Sequence, residues 1–220
     1  VHNTKNILDV FKHPNRIELA ENIIVIPNFI SWGTVREVLA LARDTDYSIW
    51  PKNRPDPTQM RDHSQGLEIM VPIVNKIRMA CTEGYFPRRN LNIIKLETGD
   101  FWGEHVDSDQ FLHLRKLNEE YEKQNELAIQ DGKDPLPYKE VNNNVFGMIL
   151  YFNKADGGEI YYPNQDNFEY SPNPGDLLLH SSEELCRHGV KPVKSGTRYS
   201  YSNAIYEKIK VPYDSVLDKQ

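Results

Sequence analysis

The hydrophobic positions change period along the chain. Near the start, "NIIVIPNFIS" (22–31) is a β-branched run closed by a turn signal, which predicts a strand. Ser31 then stands as an N-cap. In the following "WGTVREVLALARDTD", Val35, Val38, Leu39 and Ala42 recur at helical spacing and predict an amphipathic helix. Residues 1–22 are polar and mixed and read as an arm. "LEIMVPIVNKIRMACTEGYF" resumes regular structure and reads as helical toward its end, and "LNIIKLE" (91–97) reads as a strand. From Asn144 onward the runs become short and closely spaced: "VFGMILYFN", "GEIYYP", "FEYSP", "GDLLLHSS", "HGVKPV" and "RYSYSNAIYE". The turn signals "ADGG", "NQDN", "PNPG" and "KSG" separate them, as in an antiparallel sandwich or partly open barrel. The order is helices first, then an all-β half.

Two stretches break this pattern. "SIWPKNRPDPTQMRDHSQG" (48–66) is a polar loop with prolines at 51, 55 and 57, longer than a plain connection requires. Residues 109–135 are rich in Glu, Lys, Leu and Gln, favour helix, and read as a charged insert between strands.

Composition narrows the partners. A net charge of −6 over 220 residues argues against general nucleic-acid binding, which needs clustered Lys and Arg. The two cysteines, Cys81 and Cys186, match no zinc or CxxC spacing and read as reduced thiols. No apolar run approaches the roughly 20 residues that span a bilayer, and no leader pattern is visible. The expectation is a soluble, cytoplasmic protein of unspecified oligomeric state.

Candidate chemistry starts at "EHVDS". On an extended segment, His105 and Asp107 point to one face, with Val106 turned away. An isolated H-x-D also reads as a surface pair at a strand end. His188, on a late strand, adds a second imidazole. Two histidines and a carboxylate on one face of a metal leave the other face open, a donor set that suits oxygen-activating Fe(II) enzymes. Arg198 lies one strand later, across the "KSG" turn, where its guanidinium fork could reach the same cavity and pair with a carboxylate.

Together, H-x-D, a late His and an Arg ten residues on resemble the 2-oxoglutarate- and Fe(II)-dependent oxygenases, in particular the prolyl 4-hydroxylase branch. "GMILYFNKADGGEIYYP", "SPNPGDLLLHSS" and "HGVKPVKSGTRYSYSNAIY" are similar to that family's successive strand blocks. The resemblance implies an α+β, mainly β chain: a double-stranded β-helix (jelly-roll) core with supporting N-terminal helices and a helical insert. It implies one oxygenase domain over 1–220, with strand and helix support at 22–90, a substrate-covering loop at 48–66, the jelly-roll at 91–210 and the insert at 109–135. His105, Asp107 and His188 match the iron ligands. Arg198 matches the group that binds the distal carboxylate of 2-oxoglutarate, and Tyr151 a tyrosine that bonds the same carboxylate. The implied cofactors are Fe(II), 2-oxoglutarate and O2, with ascorbate as a candidate reductant. The implied reaction hydroxylates a C–H bond, foremost of peptidyl-proline, while 2-oxoglutarate is decarboxylated to succinate and CO2. Relatives carry a tyrosine nine or ten residues before the first metal histidine, where this chain has Lys95 and Leu96.

Other readings stay open at this stage. The same chemistry could act on a free amino acid, another small molecule or another protein side chain. A non-catalytic β-barrel binding module and a cupin-like metal protein using His180 are further alternatives. His180 is the rival to His188, but its distance from Arg198 does not fit the family, and it reads as a packed or hydrogen-bonded core histidine. Trp102, Arg61 and His63 are the candidate substrate contacts, Trp102 reading equally as a core aromatic. Glu159 reads as structural, or as a brace for a ligand histidine. The stretches Tyr161–Tyr162 and Tyr199–Tyr201 read as sheet packing more than as a binding platform, with half of each alternating pair still expected to face the cavity. His113, Arg88 and Arg89 read as solvated charge.

Overall fold

Two long strands, 138–151 and 198–212, run antiparallel along almost their whole length and carry the rest of the molecule. In the computed structural model, residues 6–49, 62–64, 66–107 and 111–214 are described. In chain order they form α1 (Ile7–Val10), β1 (Ile17–Ala20), β2 (Ile23–Ile26), α2 (Trp32–Asp44), β3 (Tyr47–Ile49), β4 (Asp62–Ser64), α3 (Met70–Ala80), β5 (Tyr85–Pro87) and β6 (Ile94–Leu96). Then follow β7 (Trp102–His105), α4 (Phe111–Gln130), β8 (Tyr138–Tyr151), β9 (Asp156–Gly157), β10 (Ile160–Tyr162), β11 (Phe168–Tyr170) and β12 (Leu177–Ser181). A 3-10 turn (Glu184–Cys186), β13 (His188–Val190), β14 (Val193–Ser195) and β15 (Arg198–Pro212) complete the chain.

The main sheet has the order β1-β2-β12-β8-β15-β6-β4-β3, with β5 also paired to β15. The opposing sheet has the order β11-β10-β13-β7, and β14 pairs with β9. This is the double-stranded β-helix, with α1, α2 and α3 packed on the outer face of the main sheet. Strand parity explains its sequence pattern. On β2, Ile24 and Ile26 join the helix-side core while Ile23 and Val25 join the core between the sheets. All four are buried, so the strand reads as an unbroken apolar run rather than an alternation. On β15 the same parity sends Tyr201 and Ile205 to the helix side.

The N-cap of α2 is as expected: Ser31 Oγ accepts from the Thr34 amide at 3.1 Å. Val35, Val38 and Ala42 are fully buried, and Leu39 packs at their margin. The charged insert forms α4, which lies over the extended ends of β8 and β15. Leu114 packs with Ile209 and Val211, and Asn118 Nδ2 donates to the Lys210 carbonyl at 2.7 Å. Both cysteines are free. Among the described residues no helix is long and apolar enough to cross a membrane.

One expectation is corrected. Residues 6–20 are not an arm. Asn6 Oδ1 caps α1 by accepting from the Leu8 amide, and Ile7, Val10 and Phe11 are buried in the main core. The Lys12 amide bonds to the Ala80 carbonyl at 2.8 Å, stitching the segment to the end of α3. A four-residue helix is too short to show a 3.6-residue period, so its apolar positions look unpatterned.

Truncating Phe11 to Ala should therefore cost about 3–5 kcal/mol, as for other buried aromatics. Urea unfolding of Phe11→Ala against the parent chain measures it. A change within about 0.5 kcal/mol would restore the arm.

Candidate metal and carboxylate site

The site is set by one register match. β7 and β13 pair antiparallel with His188 opposite His105, and with Trp102 opposite Val190. The two imidazoles stand 4.4 Å apart between ring centres. Asp107 follows just beyond the end of β7 and turns its carboxylate back between them. Its Oδ1 lies 3.7 Å from His105 Nε2 and 3.9 Å from His188 Nε2. One donor atom from each of His105, Asp107 and His188 lies within 4.8 Å of the others, close enough to hold one metal ion.

The backbone fixes the tautomers. His105 Nδ1 lies 2.9 Å from the Gly103 carbonyl and His188 Nδ1 3.0 Å from the Cys186 carbonyl. A carbonyl can only accept, so each Nδ1 carries the proton and each Nε2 offers its lone pair to the common point. This is the orientation a metal-binding histidine needs. The bracing comes from these carbonyls rather than from Glu159. His188 is buried, and burial first, then His180 beside it, holds its pKa well below the usual histidine value. A neutral imidazole at neutral pH is the form that binds a metal.

The inner faces of both sheets line one cavity of about 60 Å³, roughly the space of four waters. The lining includes Ile94, Leu96, Trp102, Ile149, Ser200 and Ser202 besides the three metal-binding candidates. Arg198, on the same parity of β15 as these serines, also lines it and is only 4% exposed. Its Nε and Nη2 have no hydrogen-bond partner in the protein, and its guanidinium carbon lies 4.9 Å from the centre of the Tyr151 ring. The Tyr151 hydroxyl is likewise buried without a partner. Burial raises that hydroxyl's pKa, with Arg198 opposing. A buried guanidinium with unpaired donors beside an unpaired hydroxyl is an arrangement suited to an incoming carboxylate. Gly158 lets the arginine stem pass: a Cβ there would meet Arg198 Cδ at 3.2 Å.

Other candidates fall as follows. Trp102 is nearly buried, lines the cavity and stands 5.2 Å from the His105 ring. Of the loop 48–66, residues 50–61 and 65, including Arg61, lie outside the described residues. Its ends pair as β3 with β4, and His63 sits in β4, between β3 and β6, opposite the cavity-lining Ile94. Leu96 lies opposite Arg198 in the sheet and Lys95 reaches Glu97, so neither supplies a hydroxyl. The tyrosines pack as expected, but neither pair supplies a cavity-lining side chain. Tyr201 turns to the helix-side core and Tyr162 is sealed in the core between the sheets, while Ser200 and Ser202 take the cavity positions. His113, Arg88 and Arg89 are exposed.

His180, read from the sequence as a packed core histidine, and two residues that motif reading missed, Asn144 and Gly147, complete the surroundings. His180, on the inner parity of β12, is fully buried with its ring centre 4.1 Å from that of His188. Burial and the nearby His105 push its pKa down to about 3, with the Ser181 backbone opposing. Asn144 donates through Nδ2 to the Asp107 carbonyl at 3.2 Å, while its Oδ1 lies 3.1 Å from Ser182 Oγ. Gly147 leaves room for the carboxylate: a Cβ there would stand 1.7 Å from Asp107 Oδ2. No local signal marks Asn144 or Gly147, because their partners come from elsewhere in the chain.

Two outcomes follow from this geometry. In Gly147→Ala the methyl would overlap the Asp107 carboxylate and the buried His180 ring, so stability should fall by about 1–3 kcal/mol while metal affinity of the folded protein falls at least ~10-fold. Metal titration of the folded variant reads this, and unchanged affinity would contradict it. For pH, His180 and His188 have folded pKa values below the unfolded value near 6.5. The unfolded chain binds these protons first, so the metal-free protein should lose stability as pH falls below about 6.5, by up to about 1.4 kcal/mol per unit and group. For His180 the loss continues down to about pH 3. Denaturant unfolding of the metal-free protein at several pH values checks the slope.

Comparison with known proteins places this site in a family. The model of the 2OG-Fe(II) oxygenase superfamily matches residues 91–206. No curated protein matches the sequence. Among solved structures, a prolyl hydroxylase from Trichoplax adhaerens, in complex with a hypoxia-inducible-factor oxygen degradation domain peptide fragment, is 14% identical. The alignment covers 84% of each chain with a TM-score of 0.55. A Pseudomonas putida prolyl-4-hydroxylase is 15% identical over 84% of this chain and 92% of its own, with a TM-score of 0.54. The viral collagen prolyl hydroxylase of Paramecium bursaria Chlorella virus-1, in its 2OG complex, is 14% identical over 85% and 96%, with a TM-score of 0.51. At these identities the structures show a shared fold. The family match spans more than half of the sequence and covers the segment bearing His105, Asp107, His188 and Arg198: the chain belongs to the 2OG-Fe(II) oxygenase superfamily.

Proposed function

We propose that this protein hydroxylates a prolyl residue of a peptide or protein, using Fe(II) held by His105, Asp107 and His188 and 2-oxoglutarate anchored by Arg198 and Tyr151. The observation that carries the reading is that the His-Asp-His cluster and the unpaired Arg198–Tyr151 donors share one cavity. Fe(II) with 2-oxoglutarate supplies the oxidising chemistry: O2 is consumed, one oxygen goes to a substrate C–H and the other to succinate, and CO2 leaves.

The chain's own groups divide the remaining work. Two neutral imidazoles and one carboxylate offset one unit of the ion's charge and leave the opposite face open. The Arg198 fork and the Tyr151 hydroxyl take the distal carboxylate, fixing the co-substrate's orientation. Ile94, Leu96, Ile149 and Val190 keep that end of the cavity apolar. Trp102, beside His105, forms the wall on the substrate side. The domain reading follows: residues 91–210 hold the chemistry, 22–90 support it and carry the loop 48–66, and 109–135 are an insert. The prolyl substrate is supported by that loop's attachment beside β6 and by the peptide complex of the Trichoplax relative.

The test is 2-oxoglutarate decarboxylation with Fe(II) across a panel of proline-containing peptides and free amino acids. A proline peptide should stimulate succinate formation and gain one oxygen by mass. Stimulation by free amino acids alone would transfer the activity to small molecules. Arg198→Ala should raise the 2-oxoglutarate requirement about 10- to 100-fold, the worth of a charge-assisted hydrogen bond in a buried site. An unchanged requirement would remove Arg198 from its role.

A further inference from the structure

Asp107 has two oxygens, and the site uses them differently. Oδ1 faces the two Nε2 atoms of His105 and His188. Oδ2 faces a third histidine: His180 Nε2 stands 3.6 Å away, a few tenths of an ångström beyond a hydrogen bond. His180 is 1% exposed, and the Tyr162 ring covers it edge-on at 5.7 Å between ring centres. It also lines the cavity, so its polar atoms face either the protein or that small enclosed space.

The three histidines are not equivalent. His105 and His188 each commit Nδ1–H to a backbone carbonyl, which leaves Nε2 as an acceptor. His180 Nδ1 has no hydrogen-bond partner. The Ser181 backbone lies near the ring, but Nδ1 makes no hydrogen bond, whereas a proton on Nε2 has a carboxylate oxygen opposite it. Gly147 completes the seat. A Cβ there would lie 1.7 Å from Oδ2 and 2.7 Å from His180 Cε1, so the carboxylate and the ring can meet only over a glycine.

We propose that His180 is a positioning residue for the metal site: protonated on Nε2, it donates to Oδ2 of Asp107 and so presents Oδ1 alone to the ion. A carboxylate tied in this way binds through one oxygen, which preserves the open positions that O2 and 2-oxoglutarate need. This inference rests on the ligand set proposed above. It also assigns His180 a place distinct from that of a fourth ligand, whose Nε2 would be unprotonated.

The test is long-range 1H–15N NMR of the imidazoles in the unsubstituted protein, metal-free and loaded with Zn(II). His180 should show a protonated Nε2 in both states. His105 and His188 should show protonated Nδ1, with Nε2 shifted by Zn(II). A His180 protonated on Nδ1, or carrying a Zn(II)-shifted nitrogen, overturns the proposal. Failure of His105 and His188 to respond to Zn(II) instead overturns the ligand set, and the metal-free spectrum still reads His180. Two variants add a functional readout. His180→Phe keeps a ring and loses the donor, and should weaken Mn(II) binding about 10- to 100-fold. His180→Gln keeps an N–H at the same reach and should stay within about threefold of the parent. Equal loss in both, or none in His180→Phe, overturns the role.

Discussion

Everything in the site depends on the antiparallel register of β7 and β13. It sets His188 opposite His105, and Asp107 needs only the next turn of chain to close the triangle. A slip of one residue would send one imidazole to the outer face of the sheet, because side chains alternate along a strand. The register is held by contacts on both sides. Trp102 and Val190 pack in one small core, and the 3-10 turn before β13 places the Cys186 carbonyl where His188 Nδ1 can donate to it. The same constraint orients both rings, so the donor set is shaped by the protein before any ion arrives.

The second organising feature is the cost of dry polar groups. His180, His188, Arg198 and the Tyr151 hydroxyl are all buried, and several of their polar atoms lack protein partners. Such groups destabilise a fold unless something answers them. The histidines meet the demand by staying neutral. Arg198 cannot lose its charge, and its contact with the Tyr151 ring offsets only part of the cost. In the proposed function a carboxylate-bearing co-substrate would answer the remainder, which would connect the energetics of this fold to the chemistry of its family.

How much of this was legible in the sequence follows physical lines. His105, Asp107 and Arg198 could be read because strand parity and a short turn decide where they point. The identity of the second histidine needed the pairing of β13 with β7, and here the family motif supplied what local pattern could not. Strand alternation suggests that part of the 199–201 tyrosine stretch faces the cavity, yet parity with Arg198 puts Ser200 and Ser202 there. Ile7, Val10 and Phe11 hid in a helix of one turn. Gly147 and Asn144 had no local signal, since their meaning lies in a carboxylate and a backbone carbonyl supplied by a distant strand end.

In the proposed function one cavity would hold both a metal and the carboxylate bound by Arg198. The most direct measurement is 2-oxoglutarate binding by calorimetry in oxygen-free solution, with and without Mn(II). One site per chain is expected, at least about tenfold tighter with Mn(II), because the two ligands would share a coupling free energy. Binding of 2-oxoglutarate with the same affinity whether or not the metal is present would contradict it.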